Sequence, residues 1–112
     1  MKEVDNEKDL TNFLKSCKRA FVLFYSTWCP FCKSFLPIFG KYAKIEEKRR
    51  QDRFLRVKID GDTNPLWEKY DVKVVPTVIL FEGEEVSKRL VGAAGSGRNE
   101  KQLKDFIDTC TV

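Results

Sequence analysis

Apolar and polar residues form blocks along the chain, and each block has the period of a helix or of a strand. Phe21 to Tyr25 is continuously apolar, which predicts a central strand covered on both faces. Before it, Lys2 to Val4 is at most a short edge strand. A helix capped by Asp5 or Asn6 follows that strand, and its apolar positions are spaced by three and four: Leu10, Phe13, Leu14 and Cys17.

A longer helical pattern begins soon after Tyr25 and has Pro37 in its interior, where we expect a bend. Its predicted apolar face is formed by Phe35, Ile38, Phe39, Tyr42 and Ile45. Phe54 to Ile59 then alternates apolar and basic residues, which is typical of a strand. A strand, a helix and a second strand in succession predict parallel pairing with a right-handed crossover.

The second half of the chain begins with a turn at Asp62 to Pro65 and a short helix through Trp67 and Tyr70. Thr77 to Phe81 and Val86 to Val91 predict a hairpin of two antiparallel strands. Asn99 or a neighbour should cap a last helix, whose apolar face contains Leu103, Phe106, Ile107 and Cys110. The predicted order is β-α-β-α-β-α-β-β-α, a single α/β domain over residues 1–112.

The candidate chemistry lies at the junction between the central strand and the long helix, where Cys29 and Cys32 form a Cys-x-x-Cys pair. Pro30 suits the first position of a helix, where its missing N–H is not needed. Cys29 should then lie at the positive end of the helix, which favours a thiolate, and we expect its sulfur to be exposed. Cys32 lies one turn further on. A nucleophilic thiolate beside a second thiol is the minimum needed for thiol–disulfide exchange.

The length, charge and residue composition of the chain exclude several classes of protein and site. A chain of 112 residues buries enough surface to fold without staples, so its four cysteines are not a disulfide scaffold. The charged first residues lack a signal-peptide pattern and no apolar run could span a bilayer, so we expect a cytoplasmic protein that does not bind membranes. The absence of histidine excludes Cys/His metal patterns and histidine-based catalysis. A net charge of +4 without interleaved aromatic residues argues against nucleic-acid binding.

Along almost its whole length the chain resembles the thioredoxin family. The resemblance is carried by Phe24 to Lys33, Pro37, Val57 to Asp60, Val75 to Thr77, Phe81 to Gly83 and Val91 to Ala93. It implies the thioredoxin fold, a central mixed sheet of four to five strands with helices on both faces. It also implies that Cys29 attacks and Cys32 resolves, supported by Pro30, Phe31 and a cis-proline at Pro76. Substrate would bind to an apolar surface formed by Trp28, Val75, Gly92 and Ala93.

Two positions depart from thioredoxins. Pro30-Phe31 between the cysteines is more similar to the Cys-Pro-Tyr-Cys of glutaredoxins. Leu23 stands where thioredoxins have a buried aspartate, which is understood to take up the proton of the resolving thiol. Arg56 matches the lysine that partners this aspartate in the family, so we expect Arg56 to lack its partner.

The leading hypothesis is therefore a protein-disulfide oxidoreductase, a monomer that needs no cofactor beyond its Cys29–Cys32 disulfide. Its electron donor would be a thioredoxin reductase or glutathione. The alternatives are a glutaredoxin-like enzyme, a metal or iron–sulfur module using the same two thiolates, and a redox-inactive binding module. One Cys-x-x-Cys supplies only half of a tetrahedral metal site, so we predict no metal. Cys17 and Cys110 are predicted to pack in the core, on opposite faces of the sheet.

Overall fold

A computed structural model describes residues 1–50, 52–61, 63–92 and 100–110. Five strands and four helices follow one another in the predicted order, β-α-β-α-β-α-β-β-α. Their bounds are β1 Lys2–Val4, α1 Glu7–Lys15, β2 Arg19–Tyr25, α2 Pro30–Arg50, β3 Arg53–Lys58, α3 Leu66–Lys69, β4 Thr77–Glu82, β5 Glu85–Val91 and α4 Glu100–Thr109. The predicted cap at Asn99 and the start of the predicted turn at Asp62 lie outside the described residues.

The strands form one mixed sheet in the order β1-β3-β2-β4-β5. β3 pairs in parallel with β1 and β2, while β4 pairs antiparallel with β2 and β5. The prediction of a central β2 and of a parallel β2–α2–β3 unit is therefore confirmed. All but the first residue of β2 are buried, because helices cover the sheet on both sides.

Successive residues of a strand point to opposite faces, and this divides the core in two. α1 and α3 cover one face, over Val22, Phe24, Leu55 and Val57 among others. α2 covers the other with α4, over Phe21, Leu23, Tyr25 and Phe54, and Cys29 and Cys32 belong to this second cluster. Cys17 packs against the first cluster and Cys110 is buried in the second, so the two lie on opposite faces as predicted.

The phase predicted for part of α2 is wrong. Ile45, predicted on its apolar face, is 41% exposed, whereas Glu46 is buried. The buried stripe of this helix is Cys32, Phe35, Phe39, Ala43 and Glu46. Those positions are three and four residues apart, so the small side chain of Ala43 faces the sheet where the larger Ile45 was expected.

α1 begins as predicted. Asn6 has an extended backbone and its side-chain oxygen accepts a hydrogen bond of 2.8 Å from the backbone N–H of Asp9. This satisfies one of the N–H groups that a helix start leaves unpaired. The cap fixes where the chain turns from the edge strand β1 into α1.

Candidate active site

The two cysteines lie at the junction of β2 and α2. Pro30 is the first residue of α2, as predicted, and the carbonyl oxygen of Cys29 accepts hydrogen bonds from the N–H groups of Cys32 and Lys33 at 3.1 and 3.2 Å. Cys29 is thus the residue that caps the helix, next to the positive end of its dipole. Cys29 and Cys32 approach each other to 3.5 Å. A small movement would bring their sulfurs to disulfide distance.

Both cysteines are more enclosed than the sequence indicated. Cys29 is 6% exposed and Cys32 is 1% exposed, so the expectation of an exposed Cys29 sulfur is wrong. The loop before β4 covers Cys29, whose thiol lies 3.7 Å from the carbonyl oxygen of Val75. Cys29 is nevertheless the less enclosed of the two.

The environment of Cys32 keeps this residue in its thiol form. Burial raises the pKa of Cys32 to about 12, and the neighbouring Cys29 and the charge of Asp60 act in the same direction. The backbone amide of Ser26 acts the other way and lowers this pKa. Because the pKa lies far above neutral, Cys32 carries its proton at pH 7. The pair is therefore asymmetric.

The loop before β4 forms the second wall of the site. The peptide bond between Val75 and Pro76 is cis, as the resemblance implied. Val75 is half-buried and packs against both core clusters. Gly92 follows β5 and is buried, and a Cβ atom at this position would collide with the carbonyl oxygen of Pro76. Only glycine allows β5 and the proline loop to come this close. Ala93 lies outside the described residues.

Two large apolar side chains next to Cys29 in the chain are exposed. Trp28 is 61% exposed and Phe31 36%, and together they form an apolar surface beside the cysteines. Trp28 is held by its indole N–H, which donates to the carbonyl oxygen of Asp60 at 3.1 Å. Of the predicted contact residues, Trp28 precedes Cys29 directly, Val75 contacts its thiol, and Gly92 packs against Pro76.

Asp60 organises this surface, a role that the sequence did not assign to it. Its carboxylate accepts hydrogen bonds from the backbone N–H and the hydroxyl of Thr27, at 2.7 and 2.6 Å. These bonds hold the pKa of Asp60 below its ordinary value, so the group is ionised at neutral pH. The end of β3 is thereby tied to the turn that carries Trp28 and Cys29.

Comparison with known proteins agrees with this geometry. The thioredoxin family model matches residues 2–109. The chain belongs to the thioredoxin family. It is 34% identical over 105 residues to a thioredoxin of Mycolicibacterium smegmatis, covering 93% of this chain and 92% of that one. It is 36% identical over 106 residues to the bifunctional thioredoxin reductase/thioredoxin of Mycobacterium leprae, covering 94% of this chain but 22% of that protein.

Solved structures show the same fold. A thioredoxin of Plasmodium falciparum superposes with a TM-score of 0.79 at 21% identity, covering 99% of this chain and all of the other. The thioredoxin fold that the sequence predicted is therefore confirmed, with five strands. Since thioredoxins are protein-disulfide oxidoreductases, the chain is a thiol–disulfide oxidoreductase with a Cys-x-x-Cys site.

The chain differs from the thioredoxin pattern at position 23. Leu23 is fully buried in the same cluster as Cys29 and Cys32. Position 23 therefore contributes an apolar side chain to this cluster and not a carboxylate. Arg56, its register partner on β3, therefore lacks the carboxylate that the family pattern would place at position 23, as expected. The sequence did not indicate what Arg56 contacts instead: its Nε lies 3.0 Å from Glu3 Oε1 on the neighbouring edge strand β1.

Tyr25 completes this small network, which the sequence did not predict. Its hydroxyl donates a hydrogen bond to the Glu3 carboxylate, and burial together with Glu3 raises the pKa of Tyr25 to about 12. The sequence could have indicated the pairing of Glu3 with Arg56, because the two residues become neighbours when β1 pairs in parallel with β3. The carboxylate that contacts both Arg56 and Tyr25 thus comes from Glu3, on a strand at the sheet edge.

The sequence raised a metal-binding module as an alternative and indicated no membrane-spanning segment. Within the described residues, no group of three or more cysteine, aspartate or glutamate side chains is arranged to hold a metal ion. Across the same ranges, no helix is both long and apolar enough to cross a membrane.

Proposed function

We propose that Cys29 is the attacking nucleophile and Cys32 the resolving thiol in the reduction or exchange of disulfides in other proteins. The observation that carries these roles is the asymmetry of the pair. Cys29 lies at the helix N-terminus and is the less enclosed of the two, whereas Cys32 has a pKa raised to about 12. At neutral pH the first attack is then open to Cys29 only.

The reaction has two exchange steps. The Cys29 thiolate attacks a substrate disulfide, forming a mixed disulfide and releasing one substrate thiolate. Cys32 then loses its proton and attacks Cys29 Sγ, which forms the Cys29–Cys32 disulfide and releases the second substrate thiolate. Two electrons pass to the substrate, and the released thiolates take up protons from the solvent.

The residues around the pair would guide the substrate. Pro30 starts the helix, Pro76 shapes the opposite wall, and Phe31 extends the apolar rim beside the cysteines. Substrate would contact Trp28, Val75, Gly92 and Ala93, the last by resemblance alone. Exposed apolar surface of this kind favours binding of the apolar residues that flank a protein disulfide.

A thioredoxin reductase would return the electrons. The support comes from the Mycobacterium leprae relative, whose name joins a thioredoxin reductase to a thioredoxin in one protein. Glutathione is the second candidate, because Pro30-Phe31 resembles the glutaredoxin dipeptide. We further propose that the protein works as a cytoplasmic monomer, with its own disulfide as the only redox group.

A coupled assay tests the proposal. The oxidised protein is incubated with a disulfide-bonded protein substrate and either NADPH with a thioredoxin reductase or NADPH with glutathione and glutathione reductase. We expect substrate reduction with the thioredoxin reductase, at least tenfold faster than with the glutathione system. A faster reaction with glutathione would show that glutathione is the donor. No reduction even with dithiothreitol as donor would contradict the proposed substrate class.

A further inference from the structure

The loop before β4 carries Val75 and Pro76, the wall that faces Cys29. The chain enters this loop from α3 through Asp71, whose φ of 52° lies in the left-handed region that residues other than glycine rarely adopt. Such a backbone conformation persists only where the surrounding contacts hold it. The position of the wall therefore depends on the contacts that hold the start of the loop.

Arg89 of β5 supplies such a contact. Its Nη2 and Nη1 atoms donate hydrogen bonds to the carbonyl oxygens of Tyr70 and Asp71, at 2.8 and 3.0 Å. Carbonyl groups at the end of a helix have no partner within the helix, and a planar guanidinium can bond two of them at once. Arg89 thus ties β5 to the place where the chain leaves α3.

Packing holds the start of the loop against β5 only incompletely. A cleft of about 190 Å³ lies between them, lined by Val72 and Lys73 of the loop and by Thr77, Arg89 and Val91 of the sheet, among others. Val72 is buried in the core on its other side. Because the cleft is not filled by side chains of the described residues, the two hydrogen bonds of Arg89 bridge the loop and the strand there.

The far end of the loop is held separately. The Thr77 hydroxyl donates to the carbonyl oxygen of Val74 at 2.7 Å, and Gly92, just after β5, packs against the carbonyl oxygen of Pro76. Arg89 and Gly92 are three residues apart in the chain. The end of β5 therefore contacts the loop at its start and at the wall itself.

We propose that Arg89 is a positioning residue for protein substrates, because it holds the loop so that Val75 lies beside Cys29. The inference rests on the proposed contact between substrate and Val75. The carbonyl oxygen of Val75 lies 3.7 Å from Cys29 Sγ, so a displaced loop changes the space through which a disulfide reaches this sulfur. A protein disulfide arrives with its flanking chain and needs the wall, whereas a small disulfide needs only the sulfur.

The test compares two disulfides, insulin and hydroxyethyl disulfide, as oxidants of the reduced protein at pH 7. In Arg89→Ala we expect the second-order rate constant with insulin to fall roughly tenfold, as for loss of a hydrogen bond to a charged group. The rate constant with hydroxyethyl disulfide should not change. The ratio of the two rate constants is a readout that a loss of stability alone does not move.

Two further variants separate the hydrogen bonds of Arg89 from its charge. Lys88→Ala is the matched control, because it also removes one positive charge from β5, and Lys88 is exposed and pairs with Leu80 of the other core cluster. Both of its rate constants should equal those of the unmodified protein. Arg89→Lys keeps the charge on a single nitrogen and cannot place two nitrogens on two carbonyl groups, so its reaction with insulin should remain slow.

Hydrogen exchange tests the position of the loop without any substrate. The amides of Asp71 and Val72 donate to the carbonyl oxygens of Glu68 and Trp67, and they should exchange faster in Arg89→Ala but not in Lys88→Ala.

Equal insulin rate constants in Arg89→Ala and the unmodified protein would overturn the proposal, and so would equal slowing with both disulfides. Full recovery in Arg89→Lys would also overturn it, because the charge and not the pair of hydrogen bonds would then matter. Failure of the unmodified protein to reduce insulin would instead contradict the proposed function.

Discussion

Replacing Leu23 by aspartate would restore the carboxylate that thioredoxins bury beneath the dithiol. Leu23 is fully buried on the α2 face of the sheet, among the residues that pack around Cys29 and Cys32. Its register partner on β3 is Arg56, which now pairs with Glu3. The new carboxylate would therefore enter an apolar cluster with one cation on the adjacent strand.

The size of the effect on stability follows from this environment. Loss of a fully buried leucine costs about 2 to 5 kcal/mol, and a buried carboxyl group adds to that unless it is paired. Arg56 offsets part of the second term if it turns from Glu3 towards the new group. We expect a net loss of about 3 to 5 kcal/mol at pH 8, which a domain of typical stability survives.

Urea unfolding at two pH values separates these contributions. Burial should raise the pKa of the new carboxyl group, so its destabilising effect is greatest when the group must be ionised and smaller at pH 5 than at pH 8. Leu23→Asn is the matched control, because it buries a polar side chain of the same shape without a charge. Its stability deficit should not change between the two pH values.

The same variant should alter the chemistry of Cys32. A nearby negative charge raises the pKa of the Cys32 thiol further, while a carboxylate within reach can accept its proton during resolution. We expect resolution of a preformed Cys29 mixed disulfide to become roughly tenfold faster or more, and Leu23→Asn to show no such gain. Unchanged rates and an unchanged thiol titration would refute the placement of position 23 beneath the dithiol.

Three further predictions concern the ionisation of Cys32, the close approach at Gly92 and the bond between Tyr25 and Glu3. The reduced protein should lose stability as pH rises from about 9 to about 12, because the unfolded chain releases the proton of Cys32 near the ordinary thiol pKa of 9.0 and the folded one only near 12. The raised pKa of Tyr25 likewise makes the folded protein less stable as pH rises. In urea unfolding from pH 8 to 10.5, the free energy of unfolding should decline less for Cys32→Ser than for the unmodified protein. Gly92→Ala should lower stability by about 1 to 3 kcal/mol and slow reduction of substrate, because the added methyl group collides with Pro76. Thermal unfolding checks this, with Gly40→Ala as the control, since a Cβ there meets no atom within 4 Å and should stabilise α2 by about 0.5 to 1 kcal/mol. Glu3→Gln should lower the pKa of Tyr25, which an ultraviolet titration measures, with a loss of stability of about 1 kcal/mol or less for a partly exposed ion pair. An unchanged titration would contradict the bond between Tyr25 and Glu3.

The parts of the fold with a clear local signal could be predicted from the sequence. The apolar run of β2, the cap at Asn6 and the Cys-x-x-Cys pair at a helix start all depend on neighbours along the chain. The cis bond before Pro76 was predicted through family resemblance, since the local pattern alone favours an ordinary strand-start proline.

Features set by contacts between distant segments were not predicted. The burial of Cys29 depends on the Val75 loop, and the partner of Arg56 comes from β1. The phase error at Ile45 has a similar cause, because tertiary packing selected the stripe that contains Ala43. Periodicity locates a helix but does not fix which of two adjacent faces meets the sheet.

Trapping of mixed disulfides tests the assignment of the two cysteines most directly. Cys29→Ser and Cys32→Ser are each incubated with a disulfide-bonded protein substrate at pH 7, quenched with acid and analysed by intact mass spectrometry. We expect a stable adduct of Cys32→Ser through Cys29, because the first attack occurs and resolution does not. Cys29→Ser should give essentially none, since Cys32 is buried and protonated at this pH. Equal adduct formation by both variants, or adducts of Cys29→Ser alone, would contradict the assignment.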